Sequence, residues 1–444
     1  MRLRCTSTVF CLLFLASFAQ AAEPPLPVFP GAEGFGTATP AGSGRHLFPP
    51  STAIFKVTSL ADSGAGTLRA CVLLKTPRTC IFEVSGKIAL NSELLATAPY
   101  LTIAGQTAPS PGIMLTGAGL RIATHDVLVQ HIQIRVGDAK TGPKPETRDG
   151  LTVAGKGSSI AKNVVLDHLS VSWAVDENFS VWYETSSDVT LSNSIVAEAL
   201  YKSIHPKGPH SMGVLVGDGV KRVSLHNNLI ANNYDRNPRL KPGAELEFIN
   251  NVVYGWGGKS SWNQTNLSDT EKTGRAAKLA FVGNYFKPGP WSPVGASVYA
   301  KPASAGSKVY VLSNIGPTRA TDSGSEWKIT SLNEAQLRSA APPFVLTGIT
   351  PTAPQQTIEN VLSRAGARPL ESNSVDRRIV SEVTTKTGKI KDCVSGCSRS
   401  AGGYPLLQSN VRTLITPSAP MSDTNNNGYT DLEDWLHEFS TLVE

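Results

Sequence analysis

Beyond its first two dozen residues this chain of 444 residues has no long apolar run. No later segment approaches the roughly 20 residues that a membrane span requires, so no span is expected. Charge is scarce as well: Asp, Glu, Lys and Arg make up 17% of the chain against 40% hydrophobic residues. That balance excludes a disordered polyelectrolyte and supplies a large core, as one long domain or two. The formal net charge of +6 is mild. It lacks the dense basic stripe of a nucleic-acid binder but permits a polyanionic partner. Helix signals are few, and Asn-Gly hairpin turns are missing between the apolar segments of the middle, which argues against a sandwich or a propeller.

Cysteine is also sparse. Of six, Cys5 and Cys11 fall in "MRLRCTSTVFCLLFLASFAQAAEPP", where Arg2 and Arg4 precede a short apolar stretch and Ala19-Gln20-Ala21 supplies small residues. This reads as a secretory signal peptide over residues 1–21, which implies an exported, extracellular or periplasmic protein with a mature charge nearer +4. The remaining Cys71, Cys80, Cys393 and Cys397 form two short-range pairs, most simply two disulfides. A zinc site is the rival reading, but no histidine lies beside either pair at ligand spacing.

What the chain does have is a repeat. "VLVQHIQI" from Val127, "VVLDHLSV" from Val164, "VTLSNSIV" from Val189, "VSLHNNLI" from Val223, "LEFINNVV" from Leu246, "LAFVGNYF" from Leu279 and "VYVLSNIG" from Val309 share apolar first and third positions, a polar kink, then more apolar residues. Their spacings of 37, 25, 34, 23, 33 and 30 residues suggest a rung of 23 with inserted loops. Strands at that period predict an all-β solenoid, a right-handed parallel β-helix whose units bury their inner faces by stacking. Asn228, Asn251, Asn284 and Asn314 share the sixth position of successive units, as an asparagine ladder at a bend would require. After residue 317 the repeat fades, and "TIENVLSRAGARP" predicts a short helix from near Thr357 to Gly366 in a tail lying back along the solenoid.

Parallel rungs bring loops from one corner into a continuous wall. Asp149, the pair Asp176 and Glu177, Lys207 and Arg236 stand on consecutive units, carboxylates first and cations after. Such a groove suits an acidic polymer held through a hard divalent cation on one side and directly on the other, and oxygen ligands favour calcium over zinc. Taken singly, an Asp in a loop is usually a turn residue and an Arg-Pro sequence usually a surface; their order along the rungs is what points to a site. In "DTNNNGYTDLEDWLHEF", Asp423, Asn425, Asn427, Gly428 and Asp434 occupy positions 1, 3, 5, 6 and 12 of a calcium loop, with Glu433 just before the last. A helix cap is the other reading of that stretch.

The successive motifs "FPGAEGFG", "VTSLADSGAGTLRACV", "FEVSGKIAL", "LTIAGQTAPSPGI", "LDHLSVSWAVDE", "PKGPHSMG", "HNNLIANNYDRNPRL" and "NNVVYGW" resemble, in order, those of the secreted bacterial pectate lyases. The resemblance implies a parallel β-helix and calcium-assisted β-elimination of polygalacturonate. The family's RxPxxR motif falls on Arg236, Pro238 and Lys241, which makes Arg236 the proton-abstracting residue. Its substrate lysine falls on Lys207, its calcium carboxylates on Asp149 and Asp176, and His205, Arg239 and Lys241 become substrate-binding candidates. Three positions depart from the family: Ser180 where DxxxD has its second Asp, with Glu177 as a substitute; Lys241 for the second arginine; and Val165 for the tryptophan of WxDH. The expected organisation is a catalytic β-helix over 22–345, a C-terminal segment packed on it over 346–415 and a calcium-loop tail over 416–444, as a monomer. A polygalacturonase-type hydrolase on the same fold and a non-catalytic β-helix that binds acidic polysaccharide are the alternatives.

Overall fold

The structure, a computed structural model, describes residues 26–444 apart from 156, 259–260, 265–274, 302–305 and 332–334. The expected signal peptide lies outside the described residues. No helix among those described is long and apolar enough to cross a membrane.

Among the described residues the chain winds through three parallel sheets, visiting each once per turn. The first has ten strands, from Ala53–Val57 through Val127–Gln130 to Lys308–Leu312. The second has eight, from Gly86–Ala89 to Tyr285–Lys287, and the third eight, from Leu94–Ala96 to Val298–Lys301. This is the right-handed parallel β-helix. The seven repeats align in register: Val127, Val164, Val189, Val223, Leu246, Leu279 and Val309 pair in succession along the first sheet. Alternation along each strand puts these side chains inward, where they form one continuous core with Phe179, Phe248 and Phe281.

The polar kink is the corner between the first and second sheets. His131, His168, Asn193, Asn227, Asn250, Gly283 and Ser313 all take left-handed φ values, between 48° and 67°, which turns the strand there. Asn and Gly tolerate that conformation better than most residues. One residue on, the ladder forms: Asn251 Oδ1 accepts from the Asn228 backbone N–H at 2.9 Å, Asn284 Oδ1 from Asn251 at 2.8 Å and Asn314 Oδ1 from Asn284 at 3.1 Å. Ser194 extends the ladder by donating its backbone N–H to Asn228 at 2.9 Å.

Three earlier strands of the first sheet, Ala53–Val57, Arg78–Phe82 and Leu101–Ala104, begin the solenoid before the first repeat that the sequence pattern reveals. The helix Leu68–Val72 covers that end and is tied to it by the Cys71–Cys80 disulfide. Cys393 and Cys397 form the second disulfide. The helix expected near Thr357 runs over Pro354–Arg364, because Pro354 is well placed in a first turn. With Ser374–Thr385 it packs Val361, Ile379 and Val383 against Ile195, Leu229 and Val252 on the outside of the second sheet. The last helix, Asp431–Thr441, seats Leu432 and Leu436 on Ile81 and Ala104.

Candidate active site

The third sheet is the floor of the site. Its strands keep register so that Arg121, Thr152, Ser180, Leu215 and Arg239 form one row across it. Loops entering this sheet from the second supply a wall, and each delivers its charged residue just ahead of a strand. Asp149 precedes Leu151–Ala154, Asp176 precedes Glu177–Trp182, Lys207 and His210 precede Met212–Val216, and Arg236 precedes Arg239–Leu240. Between floor and wall lies a cavity of about 460 Å³ lined by Asp149, Asp176, Glu177, Lys207, Arg236, Arg239 and Lys241.

Inside it, the carboxylates crowd together. Asp149, Asp176 and Glu177 each offer an oxygen within 4.8 Å of the others. Asp149 accepts from Thr152 Oγ1 at 2.9 Å, Ser180 Oγ at 3.4 Å and the Glu177 backbone N–H at 3.3 Å. Burial and the neighbouring Asp176 still push its carboxyl up to about 7. Burial raises Asp176 too, but the hydrogen bond and charge of His210, 2.7 Å away, carry it below its usual value with help from Arg236. A cluster of hard oxygens in which the charge of Asp176 raises Asp149 is a donor set that a divalent cation relieves, so these residues fit calcium. His205 and His210 also face Asp176, with one donor atom from each of the three within 4.8 Å of the others, and their rings stack at 3.9 Å and 9°.

Arg236 is half-buried with Glu177 as its ion-pair partner and takes a left-handed φ of 58°. Burial and the adjacent Arg239 lower its guanidinium to about 10, against the pull of Asp176 and Asp149. Lys241 pairs with Asp218 at 3.2 Å and lies 5.8 Å over the Trp182 ring. Lys207 is exposed at the mouth.

The sequence singled out His205, yet His210 makes the short contact to Asp176, while His205 lies 3.8 Å off and has its imidazole lowered by burial and by His210. Arg121, Glu93 and Trp182 also line the cavity without having been picked out; a strand register was needed to bring Arg121 beside Thr152. Arg148, next to Asp149, is buried and shapes that loop by donating to the carbonyls of Pro143, Ala139 and Thr141. Ser180 fills the place of the family's second Asp as a hydroxyl on Asp149. Val165 is buried beneath the N-terminal segment with Val28 and Ala41.

A strap from the C-terminal segment spans the wall. Lys391 O accepts from Tyr201 N at 2.7 Å, Asp392 from Lys202 N at 3.0 Å, Asp138 from Val394 N at 3.3 Å and Val136 O from the Tyr404 hydroxyl at 3.1 Å. Beneath it the buried Glu198 accepts from Trp173 at 3.0 Å and from both Arg378 nitrogens. The strap thus fastens the loops that bear Asp149 and Lys207.

Far from this cavity, the residues of the expected calcium loop converge. Asn425 and Asn427 donate to Asp434 at 2.8 and 3.0 Å, and Asp423 accepts from the Asn427 and Gly428 backbone at 3.0 and 2.9 Å. Glu433 points elsewhere, closing a capping box with Thr430 and pairing with Arg45.

No family model matches the chain. Three fungal proteins described as probable pectate lyase C are similar to it over nearly its whole length. The Neosartorya fischeri protein is 33% identical over 96% of this chain and 96% of its own. The Aspergillus fumigatus protein is 32% identical over 96% of each, and the Emericella nidulans protein 34% over 92% of each. These relatives are fungal, so they lend nothing to the bacterial part of the resemblance. Among solved structures, the thermostable pectate lyase PL 47 superposes with a TM-score of 0.52 at 14% identity, over 78% of this chain and 98% of its own. The major cedar-pollen allergen does so at 0.50 and 18%, over 76% and 92%. At such identities the two structures speak to the fold alone.

Proposed function

The chain belongs to the pectate lyase family, and from that premise we propose that it cleaves polygalacturonate by β-elimination, with Arg236 as the base and calcium held by Asp149, Asp176 and Glu177. The observation that carries this reading is the shared cavity: a carboxylate cluster and the half-buried Arg236 on neighbouring rungs of one wall, with Arg239 and Lys241 on its floor.

Each uronate of the polymer bears a carboxylate at C5. Lys207, Arg239 and Lys241 bind such carboxylates and set the chain along the groove. His210 orients Asp176 by its hydrogen bond, leaving the second oxygen of that carboxylate toward the cluster. Arg236, with its guanidinium lowered to about 10, takes the C5 proton; the electron pair forms the C4–C5 double bond and expels the glycosidic oxygen from C4. Bound calcium adds electrostatic stabilisation of the charge that develops on the substrate carboxylate. Lysine at 241 keeps the charge that an arginine supplies but gives up bidentate geometry.

Export is supported by the signal-like N-terminus and the two disulfides. A second, structural calcium at Asp423, Asn425, Asn427 and Asp434 is supported by their convergence, within a division into solenoid 22–345, docked segment 346–415 and tail 416–444. An inverting hydrolase is disfavoured, because its two carboxyls stand about 6.5–9.5 Å apart, whereas these oxygens crowd within 4.8 Å. The test is polygalacturonate digestion followed in the near ultraviolet, with chelator and with calcium restored. Absorbance from an unsaturated end that disappears on chelation and returns with calcium is expected; new chain ends without absorbance mean hydrolysis, and no cleavage means a binding protein.

A further inference from the structure

Beside the main groove, on the far side of Trp182 from the loop wall, lies a second cavity of about 420 Å³. Its size suits a single sugar or two. Trp182 and Tyr183 border both cavities. Successive residues of a strand point to opposite faces, so Tyr183 should turn inward after outward-facing Trp182. Instead it adopts a left-handed φ of 69°, and its ring stays 46% exposed with its centroid 6.1 Å from that of Trp182. That conformation turns the chain just after the strand and leaves both rings on the rim of the cavity.

The surroundings are built to keep this shape. Trp182 lies so close to Gly217 that a Cβ there would come within 2.8 Å of its ring. Arg275 lies across Gly219 and Gly243, where a Cβ on Gly219 would come within 2.5 Å of its guanidinium, and Glu184 holds that guanidinium at 2.5 Å. Glycines at these turns make room for the ring and for the arginine.

The charges of the two cavities are arranged differently. Five cations, Arg121, Lys207, Arg236, Arg239 and Lys241, face five carboxylates in the main groove, whereas the second, among the described residues, holds Asp218 and Glu184 with the single cation Arg275. Arg275 is taken up by Glu184, and Asp218 by Lys241, so this lining gives a uronate carboxylate no cation of its own. A neutral sugar needs none: its C–H face stacks on the tyrosine and tryptophan, and the carboxylate and guanidinium groups bond its hydroxyls.

Resting on the lyase reading for the main groove, we propose that this side cavity is a binding site for a neutral monosaccharide branch of the acidic polymer. The enzyme then prefers a galacturonan carrying such branches over a bare one.

Two measurements test this. In the first, kcat/KM of the wild type, Arg275→Ala and Glu184→Gln is compared on a galacturonan with neutral monosaccharide branches and on the same polymer after the branches are removed. Both substitutions are expected to lower kcat/KM on the branched polymer by about tenfold, through KM, and to leave the debranched polymer unaffected. Equal changes on both substrates, no change on either, or a wild type blocked by the branches overturns the proposal. In the second, branched and unbranched oligomers are titrated calorimetrically into the wild type and Tyr183→Ala. The wild type should bind the branched oligomer more tightly, and Tyr183→Ala should abolish the difference; equal wild-type affinities refute the site. Because binding needs no turnover, a protein that fails to cleave polygalacturonate would remove the lyase reading and still decide this one.

Discussion

The two corners that flank the second sheet are made differently. From the strand Val127–Gln130 onward the chain passes from the first sheet to the second in one or two residues per rung, with a left-handed residue each time and, from Asn228, an asparagine ladder. From the second to the third it passes through residues 136–150, 173–176, 198–211 and 232–238, and there it leaves Asp149, Asp176, Lys207 and Arg236. The first corner is a repeated solution to a backbone problem, in which every buried amide finds a partner one rung along. The second has no repeat to obey. Freed from stacking, its loops differ in length and content, and a rigid scaffold aims them at one groove.

The largest expected break comes from the second corner. Arg236→Ala should lower kcat roughly a thousandfold or more while circular dichroism stays native, and Arg236→Lys should fail badly too, because the flexible ammonium differs in reach. A variant within a fewfold of wild type would remove Arg236 from the role of base.

Next is the carboxylate cluster. Asp176→Asn should raise the calcium concentration needed for half-maximal activity by about tenfold or more, and further than Glu177→Gln does. The reverse order would make Glu177 the principal ligand.

The pH profile sharpens the same corner. A guanidine accepts a proton only when neutral, and Arg236 is lowered from 12.5 to about 10. Its neutral fraction therefore rises about tenfold per pH unit below that value, so kcat should climb with a slope of about one toward pH 10. A flat profile between neutral and pH 9 speaks against arginine as the base.

Breaking the first corner should cost stability and not chemistry. Asn251→Ala leaves buried partners on the Asn228 and Leu225 backbones without their bonds, at a cost of about 3 kcal/mol. Thermal melting should record the loss while KM holds. The smallest effect is expected at the strap, where Tyr404→Phe removes one hydrogen bond to Val136 O worth about 1 kcal/mol and keeps the ring against Trp173.

The same contrast explains what could be read from the sequence. The repeat from Val127 to Val309 shows the first corner because each rung must present inward apolar residues, a bend and an amide partner at fixed offsets. The three earlier rungs escape because Gly86 and the helix Leu68–Val72 interrupt that pattern. At the second corner, order along the chain was enough to gather Asp149, Asp176, Lys207 and Arg236, since successive rungs are neighbours in space. It did not separate His210 from His205, five residues apart on one loop, because the fold of the loop decides which ring reaches Asp176. Nor did it show the strap, whose contacts join residues more than 180 apart.

The account stands most directly on one experiment: polygalacturonate with calcium, digested in parallel by the wild type and by folded Arg236→Ala, with near-ultraviolet absorbance and new chain ends recorded together. It predicts that absorbance and chain ends rise in step for the wild type and that both stay flat for the variant. Chain ends without absorbance in the wild type, or absorbance rising at wild-type rate in the variant, would contradict it.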